Sequence, residues 1–251
     1  MIWIQLKDNQ IKNRYSLIQK NGYTFSTVKC SKCVTGFLNQ TLYYRQLQNA
    51  TPPCNLGFPL CTKFIQDRFQ SVIPSLRDYK PVEQSYIEYR SSTGARIDAH
   101  VDDCWIWGER IVQLNLNSDS MLTFLPFTGD PYRYNLADVA TYPKVMDDLS
   151  GQIQFNPFTQ SSGSSLSWKS IQPFQAENCD LKRVIRVPLP RRSLLVLYGN
   201  PRYNWEHCIL RRDITSRRIV VAYRELTPTF LPNGSDEAMG RQILDQAQSF
   251  F

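Results

Sequence analysis

The chain has 251 residues, of which 42% are hydrophobic, and it carries a formal net charge of +7 with a pI of about 9.0. This length predicts one large domain with a sizeable core. Because no stretch approaches the roughly 20 apolar residues of a membrane helix, a membrane-spanning protein is excluded. The basic excess is compatible with an acidic partner such as nucleic acid or an acidic protein surface, and equally with an ordinary basic protein that has no such partner.

The seven cysteines bear on the compartment in which the protein works. Residues 1–8 lack the basic region and apolar run of a secretory leader, so reduced thiols are expected. The chain is therefore predicted to be cytoplasmic, nuclear or both.

The predicted elements begin with a polar, irregular stretch over residues 1–60. Apolar residues at helical spacing predict an amphipathic helix within residues 58–77, with Pro74 and Pro81 at its end. The pattern then changes to short strands, which are predicted at 82–89, 97–107, 111–116, 121–125, 184–189, 193–198 and 218–224. A polar insertion is predicted at about 127–180, and a capped helix over 235–250.

Short strands separated by turns, with helices outside them, predict a mainly β protein with flanking helices, an α+β fold built on a double-sheet jelly roll. In such a fold, strands that are distant in sequence meet inside one barrel. That arrangement brings together side chains from the middle and the end of the chain.

The chain has only two histidines, His100 and His207. On an extended strand, residues two apart point to the same face, so His100 and Asp102 can reach one metal together. A distant strand would bring in His207. Two imidazoles and one carboxylate form the facial triad of non-haem Fe(II) proteins, although each histidine taken singly is more simply a structural residue.

A second candidate site lies in the predicted strand over residues 218–224 (RIVVAYR). Arg218 and Arg224 are six apart, so both point to one face, opposite Ile219, Val221 and Tyr223. Two guanidinium groups inside a barrel require anions, and a dicarboxylate supplies two carboxylates that suit the guanidinium fork. The alternative is an exposed edge strand with solvated arginines.

These motifs carry a family resemblance. The order H-x-D, a late His and then R-x5-R resembles the AlkB-like Fe(II)/2-oxoglutarate dioxygenases, whose core is a double-stranded β-helix. Residues 100–110 (HVDDCWIWGER) are similar more narrowly to the fourth AlkB homologue branch, with support from residues 80–84 (KPVEQ), 192–197 (RSLLVL), 207–212 (HCILRR) and 223–226 (YREL). The similarity covers roughly residues 78–250.

The resemblance implies a role for each candidate residue. His100, Asp102 and His207 would hold Fe(II). Arg218 would bind the distal carboxylate of the co-substrate 2-oxoglutarate with help from the phenol of Tyr89. Arg224 would lie near the keto-acid end and neutralise charge beside Asp102.

The resemblance also divides the chain. Residues 1–77 are expected to be a divergent N-terminal region that supplies a lid or support helix, and a truncated N-terminal part is one explanation of its poor match. Residues 78–251 are expected to be the dioxygenase domain. Cys30, Cys33, Cys54 and Cys61 could form a zinc site, but their irregular spacing favours plain thiols.

The implied activity is oxidative N-demethylation with O2 and 2-oxoglutarate, releasing formaldehyde, succinate and CO2. The branch resemblance implies monomethyl-lysine on actin as the substrate. N6-methyladenine in DNA is the competing substrate, which the wider family and the +7 charge suggest. Arginine clusters at 211–218 and basic residues at 182–192 are able to contact phosphates, but most of them equally fit solvated edges of the barrel. A binding or scaffold protein that keeps the fold without turnover is the non-enzymatic alternative.

Overall fold

The computed structural model describes residues 2–5, 63–130, 132–147, 150–154, 156, 158 and 184–248. The strands of these ranges are β1 (Ile2–Gln5), β2 (Glu83–Tyr89), β3 (Ile97–His100), β4 (Trp107–Asn115), β5 (Ser120–Pro126), β6 (Ile185–Leu189), β7 (Ser193–Leu197), β8 (Trp205–Ile209) and β9 (Arg218–Leu226). The α-helices are α1 (Lys63–Val72), α2 (Asn200–Tyr203) and α3 (Glu237–Gln248).

The strands form two antiparallel sheets. The larger sheet has the order β1-β7-β4-β9-β2 and the smaller one β3-β8-β5-β6. Neighbouring strands in each sheet come from distant parts of the chain, as in β4 and β9, which run side by side from Ile111 opposite Arg224 to Asn115 opposite Val220. This confirms the predicted β-rich jelly roll with flanking helices.

The alternation of side chains in β9 separates two cores. Ile219, Val221 and Tyr223 lie on the outer face of the larger sheet, where they pack with Phe69 and Ile73 from the α1 region. Val220 points the other way, into the apolar cluster between the sheets. Because side chains alternate along a strand, Arg218 and Arg224 share the face of Val220. This agrees with the prediction that both arginines face the barrel interior.

Three local predictions differ from the structure. The predicted irregular N-terminal stretch contains β1, which pairs with the buried strand β7. The edge of a strand offers unpaired backbone groups to which a short segment can bind. The four residues of β1 do not by themselves indicate this pairing. In the described part of the predicted segment 58–77, the helix spans Lys63–Val72 and a 3-10 turn at Pro74–Leu76 follows, because proline cannot donate the hydrogen bond that continues a helix.

The third difference concerns the predicted strand at 97–107. Strand β3 ends at His100, and β4 begins only at Trp107. Asp102 therefore lies in the connection between them, so its position beside His100 comes from the path of this loop and not from strand alternation.

Two predicted divisions of the chain remain predictions. The boundary near residue 77 falls between α1 and β2, which are both described. The part of the predicted insertion that is described contains a 3-10 segment at Arg133–Thr141 and an isolated bridge between Met146 and Ile153. No helix in the described ranges is long and apolar enough to cross a membrane.

Candidate metal and dicarboxylate site

The two histidines meet across the smaller sheet. His100 on β3 is the direct cross-strand partner of His207 on β8, and their ring centroids are 4.4 Å apart. Asp102 approaches from the β3–β4 loop, and its Oδ2 lies 3.6 Å from Nε2 of His207. One ligand atom from each of the three residues lies within 4.8 Å of the others. The structure thus brings together the three residues that the sequence singled out as metal ligands.

Hydrogen bonding fixes which nitrogen of His100 carries the proton. Its Nδ1 lies 2.8 Å from the carbonyl oxygen of Asp98. Because a carbonyl only accepts, Nδ1 carries the proton and Nε2 of a neutral ring keeps its lone pair. A backbone carbonyl that orients a histidine in this way is typical of metal-binding histidines.

The protonation states of the other two residues also suit a metal. Burial, and after it the neighbouring His100, lowers the pKa of His207 to about 3, so its ring is neutral at physiological pH. Burial by itself would raise the pKa of Asp102, but Arg224 and the two histidines outweigh it and hold that pKa well below its usual range. The cluster therefore offers the neutral imidazole of His207 and the ionised carboxylate of Asp102.

Arg224 occupies one side of the Asp102 carboxylate. Its Nε and Nη2 lie 2.8 and 2.7 Å from Oδ1 of Asp102, and its Nη1 contacts Glu83 and Ser85 on β2. Burial opposes the charge of Arg224, yet Asp102 and Glu83 outweigh it and raise the pKa of the guanidinium. Oδ2 of Asp102 is buried and has no hydrogen-bond partner within the ranges described. One oxygen is thus held by Arg224 while the other is left for a different partner.

Arg202 holds the loop that carries Asp102, a role that sequence reasoning missed. This side chain is fully buried, and its Nη1 and Nη2 donate to the backbone oxygens of Asp102 and Trp107 at 2.8 and 3.1 Å. It belongs to α2, a single turn just before β8. The Gly199–Tyr203 run looks like an ordinary turn, so its arginine carries no visible signal of this role.

The second predicted site lies at the other end of β9. Arg218 is fully buried, and Tyr89, its cross-strand partner on β2, has its ring centroid 4.9 Å from the guanidinium carbon. Burial lowers the pKa of Arg218, and the nearby Tyr89 partly offsets this. Nε of Arg218 donates to Oδ1 of Asn115 at 2.8 Å, whereas Nη1 and Nη2 are buried without a hydrogen-bond partner among the described residues.

These atoms show whether the site suits the iron and the 2-oxoglutarate that the family resemblance implies. A buried guanidinium with two free nitrogens requires an anion with two oxygens, which is the geometry of a carboxylate. The donor set of His100, Asp102 and His207 is that of a facial triad, with Oδ2 of Asp102 unpaired. The residues present therefore fit both a divalent iron and a dicarboxylate.

The basic clusters and the cysteines singled out in the sequence do not contribute side chains to a second site in the described residues, apart from Arg218. Arg218 does not belong to a phosphate-contacting surface, because it is buried; in the same cluster, exposed Arg217 pairs with Glu88 at 2.6 Å. Lys182 and Arg183 lie outside the described residues, as do the four cysteines weighed for zinc. The described cysteines Cys104 and Cys208 are free and buried.

The fold and the donor set define the class of protein, a jelly roll that carries a cluster of two histidines and one carboxylate. A scan against models of known families finds no match. Two curated relatives, from Mus musculus and Homo sapiens, are both named alpha-ketoglutarate-dependent dioxygenase alkB homolog 4. Each is 34% identical over 194 residues, which is 77% of this chain and 57% of the relative.

A third relative, from Caenorhabditis elegans, is named DNA N6-methyl adenine demethylase. It is 24% identical over 162 residues, 64% of this chain and 38% of that protein. The chain belongs to the AlkB-like family, as its motifs predicted. It spans little more than half the length of the first two relatives.

Proposed function

We propose that this protein is an Fe(II)- and 2-oxoglutarate-dependent dioxygenase that removes N-methyl groups by oxidation. One observation carries the proposal: the barrel interior holds a facial-triad donor set with one carboxylate oxygen, and a buried arginine with two nitrogens, that have no hydrogen-bond partner among the described residues. Neither set of free atoms is explained by the fold alone, because unpaired buried polar groups are costly.

In this proposal, His100, Asp102 and His207 would hold iron. The chemistry that iron supplies when bound is the use of O2 to convert 2-oxoglutarate to succinate and CO2 while the substrate N-methyl carbon gains a hydroxyl group. The hydroxymethyl amine then releases formaldehyde and leaves the demethylated nitrogen.

The chain's own side chains would orient the co-substrate and the metal ligand. Arg218 and Tyr89 would bind the distal carboxylate deep in the barrel. Arg224 would keep Asp102 ionised and hold it in one orientation through Oδ1. The apolar interior between the sheets, which includes Val220 and Phe124, would limit access of water to this space.

For the substrate, we propose monomethyl-lysine on actin. At the metal end of the barrel, Arg224 is already paired with Asp102 and Glu83, and Glu83 keeps 29% of its side chain exposed. An accessible carboxylate favours a cationic methyl-ammonium over a phosphate backbone. Such a substrate is compatible with action in the cytoplasm, the nucleus or both.

A second candidate is demethylation of N6-methyladenine in DNA. The name of the C. elegans relative and the net charge of +7 favour it. Because of phosphate contacts, the affinity for DNA would fall steeply with added salt. The affinity for a protein substrate would depend less on salt.

The test is formaldehyde release by Fe(II)-loaded protein from two substrates, monomethyl-lysine actin and DNA containing N6-methyladenine. Unmethylated actin and unmodified DNA are the matched controls. Formaldehyde from methylated actin alone supports the proposal, and formaldehyde from the DNA alone replaces it with the second candidate. Iron and 2-oxoglutarate binding without formaldehyde from either substrate would favour the binding or scaffold alternative.

A further inference from the structure

Asn115, the last residue of β4, has an amide that can face only one way. It is 1% exposed, and its Nδ2 lies 2.8, 2.8 and 2.9 Å from the carbonyl oxygens of Ser118, Leu189 and Pro190. A flipped amide would set its own oxygen against three carbonyl oxygens. The surroundings therefore fix Nδ2 as the atom that meets the carbonyls and Oδ1 as the atom on the opposite side.

The fixed Oδ1 in turn fixes Arg218. It accepts a hydrogen bond from Nε of Arg218 at 2.8 Å. A guanidinium is planar, so a bond at Nε sets the plane in which Nη1 and Nη2 lie. Both of those atoms are buried and lack a hydrogen-bond partner within the described ranges.

Tyr89 also contacts this guanidinium. Its ring centroid lies 4.9 Å from the guanidinium carbon, and its side chain partly offsets the effect of burial on the pKa of Arg218. No carboxylate lies within ion-pair distance of Arg218 in the part of the chain described. A neutral amide thus orients the guanidinium without neutralising its charge.

We propose that Asn115 is a positioning residue that makes the site selective for dicarboxylates. It acts through Arg218, whose two free nitrogens it aligns with the distal carboxylate of the co-substrate. This inference rests on the proposed function and adds the residue that sets co-substrate selectivity. It also explains a polar residue at the end of a strand whose neighbours Leu114 and Leu116 are buried and apolar.

The test compares two 2-oxo acids that share the metal-binding end. 2-Oxoglutarate has a distal carboxylate, and 2-oxobutyrate lacks it. Binding of each to the Fe(II)-loaded full chain is measured anaerobically by titration calorimetry. The variants are Asn115→Ser and Asn115→Asp, with Asn117→Ser as the matched control, because half-buried Asn117 donates to the backbone oxygen of Arg217 and not to Arg218.

Asn115→Ser is expected to weaken the binding of 2-oxoglutarate at least tenfold and to leave the affinity for 2-oxobutyrate within about twofold of the wild type. The tenfold loss corresponds to one oriented hydrogen bond to a charged group. Asn115→Asp is expected to weaken 2-oxoglutarate further, because its carboxylate would compete for Arg218. Asn117→Ser is expected to behave as the wild type. Thermal unfolding of each ligand-free variant reports whether it is folded.

A double variant separates positioning from general damage. On an Arg218→Met background, Asn115→Ser should cause no further loss of 2-oxoglutarate affinity. Unchanged 2-oxoglutarate binding in both Asn115 variants, or an equal loss of the two oxo acids, would overturn the inference alone. Failure of the iron-loaded wild type to bind 2-oxoglutarate would overturn the proposed function and this inference with it.

Discussion

Asp102 satisfies three requirements at once. One carboxylate oxygen holds Arg224, its backbone oxygen holds Arg202, and its remaining oxygen faces His207. A carboxylate in this position stays ionised because a buried cation lies against it. The interactions that are visible in the folded chain thus prepare one oxygen for a partner outside the protein.

At the same scale, Arg218 gives a direct prediction about the co-substrate. Arg218→Met should raise the KM for 2-oxoglutarate by roughly a hundredfold, because a buried bidentate charge pair is worth about 3 kcal/mol or more. Steady-state succinate formation at varied 2-oxoglutarate measures this change. The control is Arg217→Met, one residue away on the exposed surface, which should keep the wild-type KM; an equal effect of both substitutions would contradict the assignment.

At the scale of elements, Arg202 links α2 to the β3–β4 loop. Arg202→Met should weaken metal binding tenfold to a hundredfold, in the range found when residues that orient metal ligands are changed. Titration with Co(II) under anaerobic conditions measures the affinity. Exposed Arg212 serves as the control position, and unaltered Co(II) binding in a folded Arg202→Met protein would show that the loop holds its shape without this clamp.

Glu109 on β4 gives a prediction about pH. Its Oε2 accepts hydrogen bonds from the backbone nitrogens of Val145 and Met146, while Oε1 is buried without a partner in the described residues. Burial raises the pKa of Glu109 to about 7; the two backbone bonds oppose this, and of the nearby charges Glu225 raises the pKa further while Arg110 lowers it. The folded state therefore holds a proton that the unfolded state has already lost above pH 4.5.

The sign of the effect follows from this difference. Stability should fall as pH rises from 4.5 to 7, by about 1.4 kcal/mol per pH unit and about 3 kcal/mol in total, and then level off. Glu109→Gln removes the titrating group and should remove this part of the pH dependence. Urea unfolding of both proteins at pH 5 and pH 7.5 measures it, and parallel pH profiles would contradict the prediction.

At the scale of the whole molecule, a buried ion cluster ties the larger sheet to the segment after α1. Arg110 is 1% exposed, lies 2.6 Å from both Asp78 and Glu225, and also donates to the backbone oxygen of Ser75. Arg110→Met leaves two carboxylates partly buried without their cation. The free energy of unfolding should fall by about 3–5 kcal/mol, and denaturant titration measures this loss.

The matched control for that change is Arg241→Met in α3. Arg241 pairs with Glu237 on the exposed face of the helix, and exposed pairs contribute little to stability. No measurable loss is expected there. A loss in Arg110→Met no larger than in this control would mean that the cluster is not a structural tie.

The sequence predicts a feature of this structure well when the feature depends on residues that are near each other in the chain. The facing of Arg218 and Arg224 follows from strand parity, and the His-x-Asp spacing is short enough to bring two side chains together along either a strand or a loop. The roles of Asn115 and Arg202 depend on carbonyl groups elsewhere in the chain, such as that of Leu189, which no residue pattern marks. The pairing of β1 with β7 is likewise a contact between segments that lie far apart in the sequence.

The proposed function requires that the triad support oxidative decarboxylation of 2-oxoglutarate. The most direct test is succinate release by anaerobically reconstituted Fe(II) protein on exposure to O2, with the wild type beside His207→Ala, with and without monomethyl-lysine actin. Turnover by the wild type is expected to rise with the methylated substrate and to disappear in the variant. Equal succinate from both proteins, or none from folded, iron-loaded wild type under either condition, would contradict the proposed function.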